Sequence, residues 1–150
     1  MHLPCLDTIL KIYPDAMVGH THRDPMKVIG SVSSLSCTLR SAFSDAIDPI
    51  VFGEEESAFM STLLHRGLAI RDGINRPEQF YDFQFDDIIH RPVDAVADMY
   101  RHFNLAMTPA TKAIMQAYID QRPQTKHGKH SYSLETFGLS EERYGPMFAD

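Results

Sequence analysis

Residues 16–31 read A-M-V-G-H-T-H-R-D-P-M-K-V-I-G-S, and the order of residue types in this stretch decides the fold. Ala16 to Thr21 is a short, largely apolar run that predicts a buried strand. Asp24-Pro25 follows: a carboxylate suited to capping a helix, then a proline whose missing N–H and fixed φ suit the first helical position. The spacing predicts a helix from Pro25 to Phe43, with Val28, Val32, Leu35 and Leu39 on its apolar face. A strand feeding a helix in this way marks an α/β fold. It carries Arg23 to the carboxyl edge of a sheet, where ligands sit in open α/β proteins.

The flanks agree. Leu6 to Ile12 predicts a short helix with Leu6, Ile9 and Leu10 on one face, broken by Tyr13-Pro14-Asp15 because a residue before proline avoids the helical region. Asp48-Pro49 marks a loop or a new start, and Glu54 to Ile70 a second long helix. Its first-turn carboxylates Glu54, Glu55 and Glu56 face the positive end of the helix dipole, and His65, Arg66 and Arg71 the other. Gln79 to Phe85 alternates aromatic and polar residues as a strand does, and Asp86-Asp87 ends it. Helices follow at Val93–Phe103 (Val93, Val96, Met99, Tyr100 and Phe103 inward), at 109–119 after the Thr108-Pro109 cap signal, and from Ser140, where Glu141 and Glu142 fill the first turn. Two strands are few for so many helices. This points to more strands upstream and to the later part of a longer protein.

The chain has 150 residues, 43% of them hydrophobic and 23% charged, enough for one ordinary domain with a real core. Its net charge of -6 argues against coating nucleic acid, although it leaves room for a local basic pocket. No apolar run reaches membrane length, and the N-terminus has no secretory pattern. Cys5 and Cys37 lack metal-site spacing and suggest no disulfide framework, so a reducing, cytoplasmic compartment is expected. Neither G-x-G-x-x-G nor G-x-x-x-x-G-K-[ST] occurs, and the only glycines before residue 50 are Gly19 and Gly30.

Three segments have the residue types for chemistry. Arg23 has a planar fork that matches two phosphate oxygens, and Ser31, two turns into the next helix, has a hydroxyl that can donate to the same group. The plainer reading pairs Arg23 with Asp24 or another carboxylate and leaves Ser31 in solvent. Lys126-His127-Gly128-Lys129-His130 groups cations around a glycine that lets backbone approach an anion; alone, it reads equally as a solvated basic turn. The aromatic strand of Phe80, Tyr81, Phe83 and Phe85 is core by default, with one ring available to cover a base. Separately, His20 and His22 alternate on a strand and so share a side, which is the start of a metal pair. Further ligands are then required, and nothing in the sequence holds His65, His90 or Asp24 in place. Asp86-Asp87, being adjacent, reads as a strand-end feature.

At these residues the chain resembles the sulfotransferase family that uses 3'-phosphoadenosine 5'-phosphosulfate (PAPS). The stretch Y-P-D-A-M-V-G-H-T-H-R-D-P-M-K-V-I-G-S-V-S-S-L is similar to the family's second nucleotide motif. There an arginine at a strand end and a serine on the next helix hold the 3'-phosphate, which implies that role for Arg23 and Ser31. F-Y-D-F-Q-F-D-D-I-I-H-R-P-V-D-A-V-A-D-M-Y-R-H-F resembles the later strand and helix, with Phe85 where the family often has a tyrosine touching adenine. K-H-G-K-H-S-Y-S-L-E-T-F-G-L resembles the closing segment of the bacterial branch, and implies Lys126, His127 and Gly128 in the basic loop that returns to the 3'-phosphate.

The resemblance implies the family's P-loop-like, three-layer α/β fold. Residues 1–150 would be a partial sulfotransferase domain, the helix-rich C-terminal part with few strands. The family chemistry would be sulfuryl transfer from PAPS to an acceptor hydroxyl or amine, with PAP as product and without nucleic acid, membrane or metal. Family members also have a loop for the 5'-phosphosulfate and a base, often histidine, before the arginine motif. No segment here matches either, so no catalytic residue is assigned and little activity is expected of these residues alone. The acceptor is open, with 45–53 and 73–79 as segments that could face it, and so is the oligomeric state. Two readings from other classes stand beside this one: a metal-dependent hydrolase built on His20 and His22, and a non-catalytic helical interaction module.

Overall fold

A computed structural model describes residues 2–122 and 132–149. The chain divides into two compact units, one made of Met1–Ile12, Asp24–Asn75 and Ser131–Asp150, the other of Tyr13–Arg23 and Arg76–His130. No helix among the described residues is long and apolar enough to cross a membrane.

The first unit is helical. It contains α1 (Leu6–Ile12), α2 (Pro25–Ser41), α3 (Pro49–Ile74) and α7 (Glu141–Tyr144), with short 3₁₀ turns at Leu3–Cys5, Glu135–Phe137 and Gly145–Phe148. Side-chain caps set the helix starts. The Asp24 carboxylate accepts from the Met26 amide at 2.9 Å and the Lys27 amide at 3.5 Å. Asp48 does the same for Ile50 at 2.9 Å and Val51 at 3.4 Å. Asp48-Pro49 is therefore a start, and the helix expected from Glu54 begins five residues earlier. It ends at Asn75, whose φ of 49° is left-handed.

α2 does not bury the face expected of it. Leu35 and Leu39 are 57% and 60% exposed, while Met26, Ile29, Gly30 and Ser33 are buried. These four also follow helical spacing. The small ones win because they admit a partner closely: a Cβ on Gly30 would stand 2.5 Å from the Tyr132 ring. Tyr132 in turn donates its hydroxyl to the Lys27 carbonyl at 2.8 Å. α3 uses the same device, burying Gly53, Ser57, Ser61 and Gly67. Phe137 lies against Gly53, Leu3 against Gly67, and the Ser61 hydroxyl donates to the Met147 carbonyl at 2.7 Å. The core beside them is Met26, Ile29, Phe137, Leu139 and Tyr144.

The second unit is built on two parallel strands, β1 (Val18–His22) and β2 (Phe80–Gln84), paired from Val18↔Phe80 to His22↔Gln84. Each strand is shorter than expected. β1 is not buried throughout but alternates half-buried and exposed residues. Its entry is fixed by Gln79, whose amide donates to the carbonyls of Pro14 at 2.8 Å and Ala16 at 3.1 Å.

Among the described residues the unit also holds α4 (Phe85–His90), α5 (Pro92–His102) and α6 (Pro109–Asp120), with a 3₁₀ turn at Pro77–Gln79. Phe85 and Asp86-Asp87 are thus the first turn of α4 and not a strand end. Two carboxylates there favour helix over a sixth strand residue, because they meet the positive end of the dipole. One sheet face packs beneath α5. Gly19 lies near Phe83 and the Met99 sulfur, and Tyr81 lies near His102 and Phe103. Thr108 caps α6 through the Thr111 amide at 3.1 Å.

The glycines on α3 separate two kinds of site. A Cβ at Gly53 would meet the Phe137 carbonyl oxygen at 2.2 Å, whereas at Gly73 nothing lies within 4 Å. Gly53→Ala is expected to lower unfolding stability by about 2–3 kcal/mol, since backbone must move. Gly73→Ala should leave it unchanged or raise it by up to ~1 kcal/mol. Urea unfolding of both variants checks the pair.

Candidate functional site

Arg23 is the first residue beyond the paired end of β1, and Phe85 the first beyond the paired end of β2. Parallel register brings them side by side. The Arg23 guanidinium carbon lies 4.2 Å from the centroid of the Phe85 ring. Arg23 is exposed and Phe85 half-buried. A ring contact is made through the charge of the guanidinium and takes none of its five N–H donors as a hydrogen bond to a carboxylate would. The contact therefore places the fork without consuming it. At an exposed site it contributes on the order of 0.5–1 kcal/mol.

Ser31 lies where expected, two turns into α2, and is half-buried. It belongs to the first unit, whereas Arg23 and Phe85 belong to the second. The residue before it, Gly30, is the one that Tyr132 packs against. The N-terminal amides of α2 are not open to an anion, since Asp24 accepts from two of them and also lies 3.9 Å from the Lys27 ammonium. Lys126, His127 and Gly128 lie outside the described residues.

The expected histidine pair is real, and it has a partner that the sequence did not reveal. His20 and His22 have ring centroids 4.3 Å apart. Asp82 reaches them from β2: its Oδ1 accepts from His22 Nε2 at 2.6 Å and lies 3.8 Å from His20 Nδ1. The signal for Asp82 was strand register, because His20 pairs with Asp82. The other residues weighed as ligands are engaged elsewhere. His65 Nδ1 donates to the Ser61 carbonyl at 2.9 Å, His90 Nδ1 to the Asp86 carbonyl at 2.8 Å, and Asp24 caps α2.

An ion-pair network ties α4, the helix that opens with Phe85, to α5. Arg91 donates from Nε to Asp87 at 2.8 Å and from a terminal nitrogen to Asp98 at 2.9 Å, and Arg101 donates to Asp98 at 2.9 Å. Hydrogen bonding to Arg91 holds both carboxyls below the ordinary range. In the first unit, an open hollow of about 370 Å³ is bordered by Phe43, Ile47, Val51 and Phe52, with Arg40 and Glu55 at its edge. It overlaps the 45–53 segment named above. Cys5 and Cys37 are free thiols, and burial raises the Cys37 pKa.

Comparison with known proteins adds the following. A model described as "Sulfotransferase family" matches residues 1–109. The crystal structure of sulfotransferase STF9 from Mycobacterium avium superposes with a TM-score of 0.85 at 27% identity, covering 98% of this chain and 38% of that one. Sulfotransferase STF1 from Mycobacterium tuberculosis H37Rv gives 0.80 at 31% identity, covering 99% and 37%. The chain thus spans less than two fifths of the length of either. No curated protein matches it.

The Arg91 network has a signed pH dependence. A lowered folded pKa stabilises fully above the ordinary aspartate value of about 3.9. The contribution fades as pH falls through the lowered folded values of Asp87 and Asp98. Arg91→Ala should return both carboxyls towards the ordinary range in a carboxyl NMR titration. Its stability deficit relative to wild type should shrink once pH drops below that range.

Proposed function

The chain belongs to the sulfotransferase family, and from that premise we propose that it provides the site for the 3'-phosphate of PAPS and of its product PAP. One observation carries the reading: Arg23 stands past the carboxyl end of β1 with its guanidinium carbon over the Phe85 ring, 4.2 Å from the centroid. A guanidinium so held meets two phosphate oxygens with little further loss of side-chain freedom. Ser31 is assigned to the same phosphate as a neutral donor on resemblance alone. Phe85 has a second role in this reading, because the ring surface not covered by Arg23 offers adenine an apolar contact. Lys126, His127 and Gly128 are assigned to the same phosphate on resemblance alone.

The reaction served would be sulfuryl transfer. An acceptor oxygen or nitrogen attacks sulfur, the bond from sulfur to the 5'-phosphate oxygen breaks, PAP leaves, and the acceptor proton passes to a base. The 3'-phosphate is remote from that bond. Its binding energy is useful for orientation, holding the donor so that attack is in line. No segment here matches the family's 5'-phosphosulfate loop or base, so this chain alone is expected to bind the nucleotide without turning it over. The hollow beside Phe43 and Phe52 is our candidate for the acceptor-facing surface, with apolar walls and Arg40 and Glu55 for polar contact. The free thiols of Cys5 and Cys37 are in keeping with a reducing compartment such as the cytoplasm.

Calorimetric titration with PAP tests this. Arg23→Ala should weaken binding by about 10- to 100-fold, the range for hydrogen bonds to a charged group. Arg23→Lys should recover only part, having charge without a fork. Ser31→Ala should cost less than Arg23→Ala. Adenosine 5'-phosphate, lacking the 3'-phosphate, should bind wild type and Arg23→Ala alike. Equal PAP affinity in folded wild type and Arg23→Ala would sink the assignment.

A further inference from the structure

We infer that His20, His22 and Asp82 form a binding site for one divalent first-row transition ion, with zinc the best match. The inference is independent of the donor reading, since it uses none of the residues assigned to PAPS.

The backbone assembles the three ligands. Successive strand residues point to opposite faces, so His20 and His22 share one. Partners in register share a face too, which places Asp82 beside His20. This is the face opposite the one that α5 covers through Gly19, Tyr81 and Phe83. One donor atom from each of the three lies within 4.8 Å of the other two. The side chains are 17%, 38% and 43% exposed for His20, His22 and Asp82. An ion from solvent can therefore reach them, while the better-buried imidazole is held in place.

Geometry and chemistry agree on the class of ion. Metal–ligand bonds of about 2.0–2.2 Å in a tetrahedral zinc site put the ligand atoms roughly 3.3–3.5 Å apart. The 2.6 Å contact between His22 and Asp82 would open and the longer separations would close. Closing a 4.8 Å separation to that range asks for movements of about 1 Å at the ligand atoms. Two imidazoles and one carboxylate suit zinc, iron(II) or manganese(II), and they disfavour magnesium and calcium, which prefer oxygen throughout. Three protein ligands leave a coordination position for water or for a ligand group. The face is apolar where the strands begin, at Val18 and Phe80, and polar where they end. The cluster thus stands at the carboxyl end of the sheet, with His22 adjacent in sequence to Arg23.

The test uses the full 150-residue chain, stripped with chelator and titrated with zinc by calorimetry and with cobalt(II) by visible absorption. The expected result is one ion per chain, with a cobalt d–d band that zinc displaces. His22→Ala and Asp82→Asn should each weaken zinc binding at least about tenfold, with circular dichroism unchanged. His65→Ala and His90→Ala should bind as wild type does. In unmutated protein, the imidazole ¹⁵N signals of His20 and His22 should shift on zinc addition ahead of those of other histidines, so the site is tested even if a variant fails to fold. Folded wild type that binds no zinc, zinc affinity unchanged in His22→Ala, or shifts confined to other histidines would each overturn the inference.

Discussion

The parallel pairing of β1 and β2, in one particular register, is the constraint on which the second unit depends. Its last pair is His22↔Gln84. Arg23 and Phe85 are the next residue on each strand, which is why a guanidinium and a ring separated by sixty-one residues of sequence come to lie 4.2 Å apart. The same register sets Asp82 beside His20. A slip by one residue would turn every side chain of one strand to the other face and part both sets at once. Gln79, which joins the carbonyls of Pro14 and Ala16, sits at the opposite end of the strands and works against such a slip.

In the first unit the limiting factor is close approach between helix surfaces and ordinary chain. Helical periodicity ranks residues by hydrophobicity and so selects Leu35 and Leu39 on α2. Packing selects by shape as well, and Gly30 with Ser33 gives Tyr132 room that a leucine face would not. A half-buried aromatic ring still brings more apolar area and more dispersion contacts than a small side chain would. The hydrogen bond from Tyr132 to the Lys27 carbonyl then holds the ring over the turn that precedes Ser31.

This contrast marks what could be read from sequence. Signals that operate over four or five residues were legible: Asp24-Pro25, Thr108-Pro109 and Ser140 cap helices as their residue types demand. Leu6–Ile12 is a helix with the expected bounds. Arg23 is at the strand end, and the α/β reading holds as a helix-rich chain on two parallel strands similar to solved sulfotransferases. The misses are of two kinds, two in which one local signal masked another and one that needed a partner distant in sequence. The acidic run at Glu54 draws the expected start of α3 five residues late, because Ile50, Val51 and Phe52 carry no charge to announce the true start at Pro49. Phe85 reads as strand because its alternation with Phe83 continues, although the acidic turn after it favours the helix that the structure has there. Asp82 looked like the polar side of a strand, and only the identity of the neighbouring strand turns it into a third member of the histidine cluster.

On the proposed reading, a chain with a net charge of -6 offers Arg23 to an anion and must keep its own carboxylates from taking that place. Three of those close in sequence to Arg23 and Phe85 have other partners. Asp24 accepts from the first amides of α2, Asp82 from His22, and Asp87 from Arg91. Each engagement is also useful in itself, as a helix cap, a cross-strand contact and a tie between α4 and α5. Carboxylates further away matter less, because at physiological salt their influence fades over about 8 Å. The stacking on Phe85 completes the arrangement. An aromatic face attracts the guanidinium without neutralising it, whereas a carboxylate in the same position would occupy the donors that a phosphate needs. A ring beside Arg23 therefore holds the arginine with its charge uncompensated and its donors unoccupied, which an ion pair there would not.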